Sequence, residues 1–227
     1  MAPNGTVYAA FMNSTNHHSF PVVDASFDHG KTFPQVSALV PRKRNNWGDR
    51  DFITVAPDGT LYLTWDYGPS AKKVTFMCSH GGSCAFATGD LNVVLQRSTD
   101  GGKTWGLLIH VSPRFPASGG DTALLLVEPH GRIDLEYQGH HIYNHKTYAM
   151  KPAHTYFTSS ADGAKTWSAP VRVGPRKLTM SLAEWWIDGA IGSDSAGNLY
   201  ITWDSQTGKR DIGWLSYSTD HGRTGHR

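Results

Sequence analysis

The sequence predicts an all-β fold built from repeated antiparallel units of four strands, and three observations carry that prediction. A Ser-x-Asp turn motif recurs four times, at positions 26–33, 98–105, 160–167 and 218–224. A second turn signal recurs out of phase with it, as Ala2-Pro3-Asn4-Gly5, Ala56-Pro57-Asp58-Gly59, Glu128-Pro129-His130-Gly131 and Ser195-Ala196-Gly197. No stretch keeps a helical period over three turns, whereas 24 Gly, 12 Pro and 8 Trp in 227 residues suit a turn-rich sheet protein. An internal repeat decides architecture before any other feature.

Within each unit the residues prescribe the elements in order. The first strand is an apolar run opened by an acid: Asp51 before Phe52 to Val55, Asp121 before Ala123 to Val127, and Asp188 before Ala190 and Ile191. The Pro-Gly type turn then reverses the chain, and alternating runs such as Thr60-Leu61-Tyr62 and Asn198-Leu199-Tyr200 begin the second strand. The Ser-x-Asp motif reverses it again between the third and fourth strands. Its Ser and Asp side chains accept hydrogen bonds from backbone N–H groups just ahead, and its Gly takes the positive φ of a tight turn. An aromatic, Phe33, Trp105 or Trp167, then anchors the returning strand. The units span roughly 1–40, 49–112, 121–173 and 184–227, with no inner strand ahead of the first hairpin and no outer strand after the fourth Ser-x-Asp motif.

The Ser-x-Asp motif resembles the Asp box (BNR repeat) of the sialidase, or neuraminidase, β-propellers. The resemblance implies a sialidase-type β-propeller of about four blades, each of four antiparallel strands. Such propellers close a ring of six, so the expectation is a fragment of a six-bladed ring, with a small ring closed by pairing its two ends as the alternative. Two copies depart from the pattern, Ala164 replacing the usual Gly and Gly225 the usual Trp. A turn that recurs once per blade is a fold staple, so Asp28, Asp100, Asp162 and Asp220 are given no catalytic role.

Composition narrows the partners. Twenty-one Lys and Arg against 19 Asp and Glu give a net charge of +2 with neither sign gathered into a block, which gives no indication of nucleic acid or an anionic membrane as partner. No apolar run is long enough to span a bilayer, and no signal peptide stands in this segment; the resemblance implies an extracellular or periplasmic setting and a monomer. Cys78 and Cys84 flank Ser-His-Gly-Gly-Ser, and a disulfide, two free thiols and a metal site with His80 all remain open. No metal and no cofactor is expected.

Function in a propeller lives at one mouth of the ring. If the first strand of each blade lines the channel, its start and the end of the second strand share one face, and the Asp boxes lie on the other. That choice selects Arg50, Asp51, Asp66, Asp121, Tyr137, Gln138, Glu184, Trp185, Asp188 and Asp204, rimmed by long insertions at 67–90 and 139–146. Asp51, Asp121 and Asp188 hold equivalent places and either serve a substrate or cap strand starts. Trp65, Trp203 and Tyr137 are blade-packing aromatics or sugar platforms, and His140, His141 and His145 belong to a polar surface loop or hold a metal.

Sialidases hold a substrate carboxylate with three arginines, use a Tyr nucleophile paired with a Glu, and use an Asp as acid/base. The resemblance therefore implies a sialidase-type exo-glycosidase acting on a glycan or glycoconjugate. Asp51 or Asp121 would be the acid/base, with Asp188 a further catalytic candidate, Glu184 the base that activates a nucleophile, and Arg50 an anchor. Asp66, Tyr137, Gln138, Trp185 and Asp204 would bind substrate. The arginine triad is not visible in this segment: Arg132-Ile133-Asp134 matches the Arg-Ile-Pro signature only in letters, and Gln138 and Asp204 stand where Arg is usual. A non-catalytic propeller binding glycan or protein, and an Asp-box hydrolase of neutral polysaccharides, are the alternatives.

Overall fold

The computed structural model describes residues 1–14, 19–39, 47–68, 92–112, 118–144, 149–173, 189–207 and 210–225. Among these residues there is no helix, and fourteen strands form four antiparallel sheets. The first sheet orders β1 (Val7–Ser14), β2 (Ser19–Ser26) and β3 (Gln35–Ala38). The second orders β4 (Trp47–Val55), β5 (Leu61–Gly68), β6 (Asn92–Ser98) and β7 (Ile109–His110). In the third, β8 (Ser118–Val127), β9 (Ile133–Asn144), β10 (Ala149–Ser160) and β11 (Val171–Arg172) run from inner to outer edge. The fourth holds β12 (Ala190–Ser193), β13 (Leu199–Thr207) and β14 (Arg210–Ser218). Among the described residues the first sheet has no strand on the inner edge of β1 and the fourth none on the outer edge of β14. No ladder joins these two sheets among the described residues.

Both turn motifs do what their residues dictate. In the Pro-Gly type hairpins the same backbone pair recurs, as in Ala56 N donating to Thr60 O at 2.8 Å and Gly59 N to Ala56 O at 2.9 Å. The glycine of each has a positive φ, from 79° to 86°. In the Asp boxes the carboxylate gathers the turn: Asp28 accepts from Ser26 Oγ, from the N–H groups of Lys31 and Thr32, and from Thr32 Oγ1. Asp100, Asp162 and Asp220 each accept from the Ser two residues before and from the N–H and Oγ1 of the Thr four residues on. These donors hold the Asp28 and Asp162 carboxyls at about 2, with the bond from the box Thr hydroxyl contributing most.

The core lies between the sheets, so the middle strands are buried on both faces. All of β5 is buried. Leu63, Trp65 and Tyr67 pack with Val23 of the first sheet, while Tyr62, Val93 and Leu95 pack with Leu125, Leu135 and Tyr137 of the third. Phe157, Leu199, Ile201 and Trp203 fill the seam between the third and fourth sheets. Each of the first three units also bonds to the Asp box of the next: Gln35 Nε2 donates to Gly101 O at 2.8 Å, Arg97 Nη1 to Gly163 O at 3.3 Å, and Arg132 Nη2 to His221 O at 2.5 Å.

Candidate functional site

Both turn motifs lie at one end of the sheets, so the start of each inner strand and the end of each second strand lie at the other. That open end is where the register brings the candidate residues together: Asp49 opposite Asp66, and Asp121 opposite Gln138. Beside each pair the ladder is interrupted, between Asp49 and Phe52 in β4 and between Asp121 and Leu124 in β8. The two blades thus carry a bulge at the same place, at the open end of the inner strand.

The bulge corrects the alignment read from the sequence. Asp121 corresponds to Asp49, and Asp51 corresponds to Ala123, because two residues of the inner strand oppose one of its partner in both blades. An acid followed by an apolar run looks the same in either register, so the pattern could not tell the two aspartates apart. Arg50 sits inside the bulge with φ of 52°, the left-handed region that non-glycine residues seldom adopt, and its N–H donates to Asp49 Oδ1 at 2.8 Å.

Asp51 is half-buried, and its Oδ2 is buried without a hydrogen-bond partner among the described residues. Burial raises its pKa above the ordinary carboxylate value; a bond from its own backbone opposes this and the charge of Asp49 adds to it. Asp66, 1% exposed, lies within the second blade's inner wall. Tyr137 is 3% exposed and stacks on Tyr156 with centroids 5.7 Å apart, and burial first, then Tyr156, pushes its phenol well above the usual range. Trp65 meets Tyr67 edge to face at 5.2 Å, and Trp203 stacks on Trp214 at 6.3 Å. All three ring systems pack between or within blades.

For Asp121, Gln138 and Asp204 the backbone places the residue at the open end, and their side chains are not described. Glu184, Trp185 and Asp188 lie outside the described residues, as do Cys78, Cys84, His145 and most of the long insertion after β5. Among the described residues no group of three His, Cys, Asp or Glu could hold a metal ion. No helix is long and apolar enough to cross a membrane.

Sequence reasoning missed a second set of carboxyls. Glu136 is 2% exposed with Oε2 unpartnered among the described residues, and burial pushes it up to about 8. Asp134, fully buried, meets Arg132 Nη2 at 2.7 Å; burial and the neighbouring Glu128 outweigh that guanidinium and push it up to about 7. The signal was present: in the aligned repeats Glu136 stands where the second and fourth blades carry Thr64 and Thr202 and the first Ala10, and Asp134 where they carry Tyr62, Tyr200 and Tyr8.

No family model and no curated protein matches the chain in sequence. Solved structures do match it in shape. Hadza microbial sialidase Hz136 is 15% identical with a TM-score of 0.64, over 99% of this chain and 44% of that one. A protein of unknown function from Dyadobacter fermentans is 20% identical with a TM-score of 0.65, over 99% of this chain and 65% of that one. An α-L-arabinanase from Penicillium chrysogenum, solved with arabinobiose, is 18% identical with a TM-score of 0.63, over 100% of this chain and 64% of that one. The chain thus spans about half to two thirds of the length of these structures. The four sheets, the Asp-box turns and these matches together give the chain the β-propeller fold of the sialidases and arabinanases.

Proposed function

We propose that this chain is part of a glycoside hydrolase whose substrate mouth is the open end of the sheets, with Asp51 as the proton donor to the departing sugar oxygen. The observation that carries the reading is Asp51 itself, a half-buried carboxyl beside a strained bulge, with an unpartnered buried oxygen and a raised pKa. A general acid must still hold its proton at the working pH, and desolvation plus a neighbouring carboxylate is how proteins arrange that. Asp49, Asp66 and Asp121 support the reading by their backbone positions at the same end of the sheets. One of them would face the anomeric carbon from the other side, at about 5–5.5 Å from Asp51 for retention or 6.5–9.5 Å for inversion. Arg50, Gln138 and Asp204, with Glu184, Trp185 and Asp188 from the fourth blade, complete the binding surface in this reading.

The first specific form is a sialidase-type exo-glycosidase, for which Arg50 anchors the sugar carboxylate. Hydrolysis of a neutral glycan is the second, favoured by the composition of β4 and β5, which carry Asp49, Asp51 and Asp66 but a single arginine, Arg50. The test is a panel of α-sialosides and neutral polysaccharides, including arabinan, offered to the protein and to its Asp51→Asn variant. General acid catalysis is worth about 10²–10⁴-fold, and a loss of that size in Asp51→Asn supports the assignment. Undiminished hydrolysis in the variant removes Asp51 from it, and a protein that binds glycans without cleaving any is a binding propeller instead.

A further inference from the structure

The seam between the third and fourth sheets differs in chemistry from the seam before it. Where the second sheet meets the third, Tyr62 packs into the apolar cluster and Thr64 Oγ1 donates to the Ala123 carbonyl at 2.8 Å. The aligned residues of the third sheet are acids. Glu136 lies against Gly189, where an added Cβ would stand 2.5 Å from Oε1, so only glycine lets the chain entering β12 approach that carboxyl. Two residues back along β9, Asp134 meets Arg132, and the same guanidinium donates to the His221 carbonyl in the fourth Asp box. Glu128, 8% exposed, adds a second carboxyl to that cluster.

We infer that this seam is a proton-operated clasp: Glu136 and Asp134 hold the fourth sheet against the third while each keeps a proton, and their ionisation releases it. The first link is geometric. One guanidinium balances one carboxylate at the hairpin end, and among the described residues no cation is shown bonded to Glu136. Ionising Glu136 leaves uncompensated negative charge in an apolar seam lined by Phe157, Leu199 and Ile201, and an ionised Asp134 draws on a guanidinium already bonded to the His221 carbonyl. The carboxyl pKa values then set the range: both are raised, so their contribution is whole below the ordinary carboxylate value and is lost as pH rises through about 7 for Asp134 and about 8 for Glu136.

Other ionisable groups stand on the surrounding elements. Asp194 and Asp220 are held ionised by their own turn hydrogen bonds, and Tyr200 is raised by its bond to Asp194. Arg172, Tyr217 and Arg223 stand on β11, on β14 and in the fourth box, and His130 lies in the β8–β9 hairpin. His221 takes part through its main-chain oxygen, while its ring lies over Gly197.

Amide hydrogen exchange of the intact chain at pH 6 and pH 9, scaled for the intrinsic exchange rate, reads the clasp directly. The expected result is an opening of peptides from Ala190–Ser218 that rises roughly tenfold or more between the two pH values, with peptides from Leu61–Ser98 unchanged. Glu136→Gln should remove most of the rise. Glu136→Thr, which restores the side chain of the second and fourth blades, should do the same and keeps the comparison valid if the glutamine variant folds poorly. A wild-type opening independent of pH, a rise shared equally by both segments, or a rise kept in full by Glu136→Thr would overturn the inference.

Discussion

Replacing Gly222 by alanine isolates what the Asp box contributes to blade packing. Gly222 has φ of 81°, and a Cβ built there would stand 2.2 Å from Phe157 Cε1 and 2.6 Å from Cζ. Phe157 is 4% exposed and packs with Leu199, Ile201 and Trp203, so moving it aside disturbs that cluster. The left-handed backbone costs a Cβ-bearing residue about 1–2 kcal/mol, and forcing a methyl into a packed seam costs about 1–3 kcal/mol more. For a chain of this size each kcal/mol lowers the midpoint by about 2–4 °C, so the melting temperature should drop by about 10 °C. The control is already in the sequence. Ala164 occupies the same box position one blade earlier, with φ of 69° and no exposure, so there the neighbouring blade leaves room for the methyl. Ala164→Gly relieves strain but removes a buried methyl worth about 0.8 kcal/mol, and should leave stability nearly unchanged. Thermal melts followed by circular dichroism decide it: a Gly222→Ala protein that melts within about 2 °C of the parent would refute the packing argument.

Three further outcomes follow from the same contacts. Thr64→Val keeps the shape but removes the donor to the Ala123 carbonyl, and should cost about 1–3 kcal/mol in urea unfolding because it leaves a buried acceptor unpaired. Acid unfolding should set in between pH about 4 and about 2: the Asp28 and Asp162 carboxyls are lowered, so their contribution is present above the ordinary value and is lost as pH falls through the folded one. Fluorescence against pH reports it, and a chain that stays folded to pH about 1 at low salt would contradict it. If Asp51 is the acid of a hydrolase, the alkaline limb of kcat/KM should lie above the ordinary carboxylate range, and Asp49→Asn, which removes a neighbouring charge, should shift that limb down.

The periodic parts of the fold were legible because each rests on local chemistry. A Ser, an Asp and a Gly at fixed spacing fold the same turn wherever they occur, so the box positions and the strands they join could be read without tertiary information. The site was less legible for two physical reasons. A bulge inserts residues without changing composition, which is why Asp51 and Asp121 read as equivalent although the register pairs Asp121 with Asp49. Burial on both faces also erases alternation: Leu63 and Thr64 are both fully buried, so nothing in a short run such as Leu135-Glu136-Tyr137 announced that the acid points into a seam. Only aligning the repeats against one another exposes Glu136, since no sister position is an acid: they are Ala10, Thr64 and Thr202.

The same alignment explains why the Asp box recurs so strictly. The residue after the box Asp, Gly101, Gly163 or His221, takes a positive φ of 73°, 71° or 59°, and in each case its carbonyl accepts a side-chain donor from the preceding sheet. The donors differ in kind and in origin: Gln35 from β3, Arg97 from β6 and Arg132 from the β8–β9 hairpin. The turn is therefore the fixed half of each seam and the donor is the variable half. A carboxylate that draws in three or four hydrogen bonds makes the turn rigid, and a rigid turn offers its carbonyl at the same place in every blade. Selection can then alter a seam by changing the donor and its neighbours alone. Replacing an aromatic and a threonine by Asp134 and Glu136 is such a change, made at one seam while the turn it meets stays the same.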